Sequence, residues 1–369
     1  MRAVAPWLAA FERANPDSRV ELIPIDRQTY AEKLLAMIRS GRPPDAARIA
    51  TQDMPRLAPL DMLEELGAVL TQDQMGEFEA ARLALCEDGT RLLGLPHTSD
   101  VLIVFCNHDA FRRAGLQTPA TLHDAWTLDE FSAAAQRLQR HGGVAYGWAT
   151  SHSRFTLTPF LYMSGGGFVT DDRPVAVAEA PAAREALAWF AEQRRNGFAL
   201  GVSRPDRTGE AERQFIAGRC GMLVQGSRSA AALAQRIRGF TWTATFLPRG
   251  ARSATNVAGE NLVVLRTPRS AMAVRLVQHL TSIDAMRAFC AETMAVPTRQ
   301  TLLRGGVPYA IRADVMQVAA AQSHTFRADW AREQMSPAFA AAASQFEAMM
   351  DATVGDTARP QPAADPRSP

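Results

Sequence analysis

Lysine is almost missing from this chain. Of its 40 basic residues only Lys33 is a lysine, so a phosphate-binding G-x-x-x-x-G-K loop or a Schiff base has a single candidate. Lys33 sits in YAEKLLAMI, at helical spacing and with no glycine loop before it, which is the setting of a solvated helix face. Cysteine is scarce as well. Cys86, Cys106, Cys220 and Cys290 never fall at C-x-x-C spacing, which argues against a structural zinc or a thioredoxin-like pair and favours buried free thiols over a disulfide. No segment reaches the ~18 apolar residues of a membrane span. The net charge is only +2, too weak a field to gather nucleic acid or an anionic membrane surface.

Catalytic signatures are just as sparse. The histidines, His97, His108 and His152 among them, form no H-E-x-x-H or other metal spacing. The G-x-S-x-G elbow and the dinucleotide fingerprint are absent. The neighbouring carboxylates Asp171 and Asp172 fall in a loop-forming stretch, a weak basis for a glycosidase. No metal and no cofactor is therefore expected, and an enzyme would have little to work with.

What the chain does have is length and apolar content. With 369 residues and 47% hydrophobic residues it can furnish a core in each of two domains. Its organising stretch is residues 95–111, LPHTSDVLIVFCNHDAF. His97, Thr98, Ser99 and Asp100 crowd into a polar turn before the apolar run 101–105, which reads as a buried strand, and Asn107-His108-Asp109 then start a helix. Before this stretch the sequence predicts a helix over 3–14, a strand over 19–25, a helix over 30–40 and a short strand over 46–50. Thr51, Gln52 and Asp53 follow that strand, where an open α/β sheet meets its ligands; they equally suit the N-cap of a helix over 54–60.

After it, Thr127 and Glu130 have the spacing of a capping box, with Trp126 before them as a staple. A strand over 144–149 leads to the polar group Ser151, His152, Ser153 and Arg154 and to a helix over 158–163. That helix runs into Ser164-Gly165-Gly166-Gly167, a loop or a place of close backbone approach. Helices over 182–196, 210–217, 229–238, 270–280, 283–292, 315–321 and 337–350 alternate with strands over 222–224, 240–247 and 262–265. The repeated order of strand, polar cluster and helix is that of an α/β sheet. From residue 353 onward the tail is rich in Pro, Ala and Asp, the composition of a disordered segment.

Seven segments together resemble one family: FERANPDSRVELIPI, YAEKLLAMIRSGRPPDA, DGTRLLGLPHTSDVLIVFCNHDAFRRAGL, TPATLHDAWTLDEF, SGGG, FIAGRCGMLVQGS and AVPTRQ. In their order, and over nearly the whole chain, they resemble the extracellular solute-binding proteins of ABC importers, the group that includes the maltose-binding and glycerol-phosphate-binding proteins. The resemblance implies an α/β, two-lobed periplasmic-binding-protein-like fold of type II, with a hinge and an interlobe cleft. It implies lobe 1 over 1–100, continued by 256–303, and lobe 2 over 104–252, continued by 308–352. It further implies a monomer that carries a small solute to permease subunits, outside the cytoplasm, and does no chemistry on it.

Residue by residue, the family's ligand positions look like Arg48, Ile49, Gln52, Asp53 and Asp100, then Ser153, Arg154, Phe155, Ser164, Gly165, Gly166 and Arg228, and finally Gly259, Glu260 and Arg299. Carboxylates and amides suit sugar hydroxyls because they donate or accept in fixed directions. Several arginines in one site would instead favour a phosphate- or acid-bearing ligand, through bidentate pairing. The expected solute is a sugar or polyol, with an anionic ligand such as glycerol phosphate as the alternative and a sensory rather than importing role also open. Family members carry a strand before their first helix, whereas this chain opens on that helix, with apolar residues at helix spacing and no signal peptide. The expectation is that a first strand and an export signal lie upstream.

Overall fold

The computed structural model describes residues 2–151, 153–200 and 209–355. The chain divides into two compact units. The first takes the described residues of Met1–Asp100 with Ala258–Ala310 and Arg327–Pro337; the second takes those of Val101–Val257, Ile311–Phe326 and Ala338–Pro369. The 13-residue strand Leu95–Asn107 changes unit after Asp100.

In the first unit the strand Ala46–Ala50 pairs antiparallel with Val257–Val264, from Ala46 opposite Val264 to Ala50 opposite Glu260. Successive side chains of a strand face opposite ways, and burial alternates accordingly along Ala46–Ala50. Ala47 and Ile49 enter a core with Leu34, Leu35, Val263, Val277 and Met286, while Arg48 is turned to the other face. The helix Tyr30–Arg39 buries Leu34, Leu35 and Ile38, the i, i+1, i+4 spacing of an amphipathic stripe.

In the second unit the run Val101–Cys106 is buried at every residue. A strand buried on both faces reads as a continuous apolar segment, and this one has a partner on each edge. It pairs antiparallel with Cys220–Gly226, Leu102 opposite Gly226, and with Trp242–Thr245, Val104 opposite Thr245. Cys220–Gly226 in turn pairs parallel with Tyr146–Thr150. The helix Leu128–His141 lies close on this sheet because Gly147 has no side chain: a Cβ there would stand 2.3 Å from the Ala135 carbonyl oxygen. Trp148 is fully buried beside Phe131, Phe160, Trp189 and Phe190, with ring centroids 5.4 to 6.3 Å away.

Local signals hold where the chain itself completes them. Thr127 accepts from the Glu130 amide at 3.1 Å and donates its own amide to Glu130 Oε2 at 2.8 Å, and Trp126 meets Phe131 edge-on at 6.3 Å, which completes the box and staple. All four cysteines are free and buried. Five expectations need correction. Residues 19–25 form no strand: Leu22 and Ile23 are 45% and 50% exposed, because alternation makes a strand only when a ladder partner takes the backbone groups, and here the Val20 amide goes to Glu12 Oε1 instead. His97–Asp100 are not a turn but part of the long strand. The helix predicted over 158–163 starts at Arg154, with Ser153 as its cap and Pro159 inside it. The helix Ala328–Met335 has no counterpart in the sequence reading. The disordered tail expected from 353 starts too early, because the last helix, Phe339–Gly355, runs through those first residues; the rest of it, from 356 on, lies outside the described residues, as does His152.

Candidate functional site

In the first unit the pairing of Ala46–Ala50 with Val257–Val264 brings Arg48 against Glu260, and the long strand adds His97 and Thr98. The Arg48 guanidinium donates from Nε to His97 Nδ1 at 3.1 Å and from Nη2 to Thr98 Oγ1 at 3.1 Å and Glu260 Oε2 at 3.0 Å. Thr98 closes the circuit by donating to Glu260 Oε2 at 2.7 Å. Phe289 backs the group, its ring 4.5 Å from that of His97 and 5.0 Å from the Arg48 guanidinium carbon. His97 is only 3% exposed. Burial, with the Arg48 charge beside it, pushes the imidazole down to about 3 against an opposing pull from Glu260, so His97 is neutral and its Nδ1 can accept the hydrogen bond from Arg48 Nε. The Arg48 and Glu260 side chains keep 36% and 16% of their exposure, which leaves a charge-balanced polar surface.

Gly259 makes this arrangement sterically possible. A Cβ at that position would stand 2.0 Å from the Thr98 carbonyl oxygen, so no other residue lets the two backbones approach as they do. Beyond the strand Ala46–Ala50, Thr51–Asp53 form a short 3-10 turn with no side-chain cap to the helix that follows. Gln52 is exposed and Asp53 half-buried. Asp53 lines a water-sized recess of about 10 Å³ with Tyr30, Leu34, Ile49 and Arg56. Burial raises the Asp53 pKa, Arg56 opposing and Glu32 reinforcing the shift. Ile49 is fully buried in the aliphatic core, so it packs rather than faces solvent. Asp100, half-buried, ends the unit's share of the long strand two residues beyond Thr98.

Arg299 is placed differently. Its Nε donates to the Thr281 carbonyl at 2.5 Å, its guanidinium pairs with Glu77, and its Cζ lies 4.5 Å over the Phe78 ring. Burial lowers its pKa. This arginine joins the loop around Phe78 to the end of the helix Ser270–Leu280.

In the second unit several expected residues have local work. Ser153 caps the helix Arg154–Met163 by accepting from the Thr156 amide at 3.4 Å. Arg154 reaches the last helix, donating from Nη2 to Ser344 Oγ at 3.0 Å, with Nε 3.8 Å from Glu347. The Phe155 carbonyl accepts from Asn256 Nδ2 at 3.1 Å. Ser164, Gly165 and Gly166 end the same helix. Gly165 has φ +82°, its amide donates to the Tyr162 carbonyl, and the Gly166 amide donates to the Leu161 carbonyl, the paired bonds of a Schellman motif. Gly166 is also held by space, since a Cβ would stand 2.6 Å from Leu161 Cδ1. Arg228 is the residue before the helix Ser229–Arg236, and it is half-buried.

The cluster contains three residues that ligand-position reasoning passed over. His97 and Thr98 stood out as polar residues beside an apolar run, and a strand reading of 95–107 would have put them beside Arg48. Phe289 carries no local signal; only the fold brings it there. Among the described residues no group of three His, Cys, Asp or Glu side chains could hold a metal ion, and no helix is long and apolar enough to cross a membrane.

Comparison with known proteins adds the family. The sn-glycerol-3-phosphate-binding periplasmic protein UgpB of Salmonella paratyphi A is 25% identical over 279 residues, covering 69% of this chain and 61% of that protein. The chain thus spans about three-fifths of the length of the curated relatives it matches. Among solved structures, the cyclic α-maltosyl-1,6-maltose binding protein of Arthrobacter globiformis superposes with a TM-score of 0.77 at 18% identity, covering 96% of each chain. UgpB of Mycobacterium tuberculosis, in complex with glycerophosphocholine, gives 0.72 at 19% identity, again covering 96% of each. These likenesses show the two-lobed α/β fold of binding proteins. The profile of the bacterial extracellular solute-binding proteins matches residues 7–310, and the chain belongs to that family.

Proposed function

We propose that this protein binds a neutral sugar or polyol outside the cytoplasm and delivers it, chemically unchanged, to the permease subunits of an ABC importer. The observation that carries the neutral reading is the state of the arginines. Three of the four that could have clamped an anion are matched: Arg48 by Glu260, Arg154 by Glu347 and Ser344, and Arg299 by Glu77 and the Thr281 carbonyl. An arginine already paired with a carboxylate offers a phosphate far less than a bare one. In the first unit the residues assigned to the solute are Arg48, Gln52, Asp53, Asp100, Gly259 and Glu260; in the second they are Ser153, Phe155, Ser164, Gly165, Gly166 and Arg228. Arg154 and Arg299 serve by bracing the segments that carry them.

A second reading, an anionic solute of the glycerol-phosphate kind, is favoured by the glycerol-phosphate binders among the relatives and by Arg228 at the start of a helix. Thermal-shift measurements with maltose, glycerol, sn-glycerol 3-phosphate and glycerophosphocholine separate the two. A ligand at a hundred times its Kd adds about 2.7 kcal/mol of stability, and Asp100→Ala is expected to remove that gain while leaving the unliganded protein folded. Recovery of an altered ligand would refute a binding protein. A shift only with the phosphate-bearing compounds would replace the first reading by the second.

A further inference from the structure

We propose that the cluster of Arg48, His97, Thr98 and Glu260 is a built discriminator against anionic solutes, with His97 as the residue that positions it. The inference rests on the solute-binding reading and assigns that site its charge preference. An arginine on the polar face of a strand would by itself attract phosphate or carboxylate. Here Glu260 lies 3.0 Å from Nη2, and the two formal charges cancel. The pairing is also fixed in direction. Thr98 lies within hydrogen-bond reach of both partners, and the His97 Nδ1 lone pair holds Nε, so the guanidinium cannot swing away from Glu260 without losing a buried acceptor.

Phe289 completes the device from behind. It packs on the imidazole and lies under the guanidinium, keeping both planes in place. The sequence makes the arrangement specific to this site. Arg48 stands on the non-core face of Ala46–Ala50, Glu260 on the paired strand, and Gly259 lets Thr98 come close enough to bond both. An incoming phosphate would meet a cation already compensated by Glu260, whereas sugar hydroxyls can donate to the carboxylate and accept from the guanidinium.

The test uses inorganic phosphate and sn-glycerol 3-phosphate as probes, titrated calorimetrically into the wild-type chain, Glu260→Gln and Thr98→Val, with folding checked by circular dichroism. Neither anion is expected to bind the wild type measurably. Glu260→Gln, which keeps the hydrogen-bonding shape but removes the negative charge, is expected to gain at least tenfold in phosphate affinity, and the gain should vanish in the Glu260→Gln/Arg48→Gln double variant. Thr98→Val, which only loosens the pair, is expected to gain less. If Glu260→Gln gains nothing, or if the wild type binds glycerol phosphate in a way that Arg48→Gln abolishes, the discriminator is refuted.

The positioning role has its own readout. In arginine-labelled protein the Arg48 Nε–H resonance should be protected from solvent exchange in the wild type, stay protected in His97→Gln, and lose protection in His97→Phe. Protection that survives His97→Phe would overturn the role of His97. Maltose and glycerol in the same wild-type titrations report on solute binding separately: a failure there strikes the binding reading, while the phosphate gain of Glu260→Gln is scored on its own.

Discussion

The two units solve the same packing problem with different side chains. The first fills its core with leucine, isoleucine, valine and methionine and keeps its polar cluster of Arg48, His97 and Glu260 on the strands Ala46–Ala50, Leu95–Asn107 and Val257–Val264. The second gathers Phe131, Trp148, Phe160 and Phe190 into one buried group with the half-buried Trp189 packed on it. Aromatic rings bring large buried area and preferred edge-to-face contacts, and three of the tryptophans, Trp126, Trp148 and Trp189, pack against Phe131. The sequence contains aromatics that could have covered a sugar face; the second unit uses many of them to hold its helices on its sheet. The specificity of the first unit comes from hydrogen bonds and that of the second from ring packing, and the two should fail under different stresses.

The largest effect expected is on the aromatic side. Trp148→Ala removes the ring at the centre of that group and its Nε1 bond to Gln193, and should cost the second unit roughly 3–5 kcal/mol in urea unfolding followed by tryptophan fluorescence. A loss below about 1 kcal/mol would mean that the rings are interchangeable filler.

Acid should act on the other unit. Unfolded His97 titrates near 6.5, and the folded residue at about 3 because burial and Arg48 disfavour its charge. Between those pH values the unfolded chain binds the additional proton, so the His97 contribution to stability falls as pH drops from 6.5 toward 3. At pH 4.5 the loss relative to pH 7 should be roughly 2–3 kcal/mol, and His97→Gln should lack it. Hydrogen exchange at pH 4.5 should then show amides of Ala46–Ala50 opening before those of Tyr146–Thr150; the reverse order would break the contrast between the units.

Each unit also has one glycine that its backbone contacts require. Gly259→Ala places a Cβ on the Thr98 carbonyl and Gly147→Ala places one on the Ala135 carbonyl. Each should cost about 1–3 kcal/mol by overpacking, measured by denaturant midpoint, but only Gly259→Ala should also disturb the Arg48 Nε–H resonance. The smallest change is Thr127→Ala, which breaks the capping box of Leu128–His141 for about 1 kcal/mol and should leave solute binding unaltered.

Much of the fold was legible because it is written locally. The capping box at Thr127, the amphipathic stripe of Tyr30–Arg39 and the apolar run ahead of Cys106 each announce their structure within a few residues. The failures have a common cause in distance along the chain. Residues 19–25 alternate like a strand, yet alternation cannot reveal whether a ladder partner is present. His97–Asp100 look like a turn because polar residues do, and only pairing across more than a hundred residues makes them strand. The site was legible in part for the same reason. Arg48 and Glu260 were singled out from the resemblance, but their ion pair joins positions 212 apart in sequence. The triglycine stretch allowed a simple explanation that periodicity could have supplied, since Gly165 and Gly166 terminate a helix in a Schellman motif.

The division of the chain between units has a consequence for biosynthesis. The polypeptide changes unit after residues 100, 257, 310, 326 and 337, so the first unit lacks part of its own core until Ala258–Ala310 has left the ribosome, more than 150 residues after Asp100. At about 5–20 residues per second, the nascent amino-terminal segment waits many seconds for the residues that complete the core around Leu34, Leu35 and Ile49.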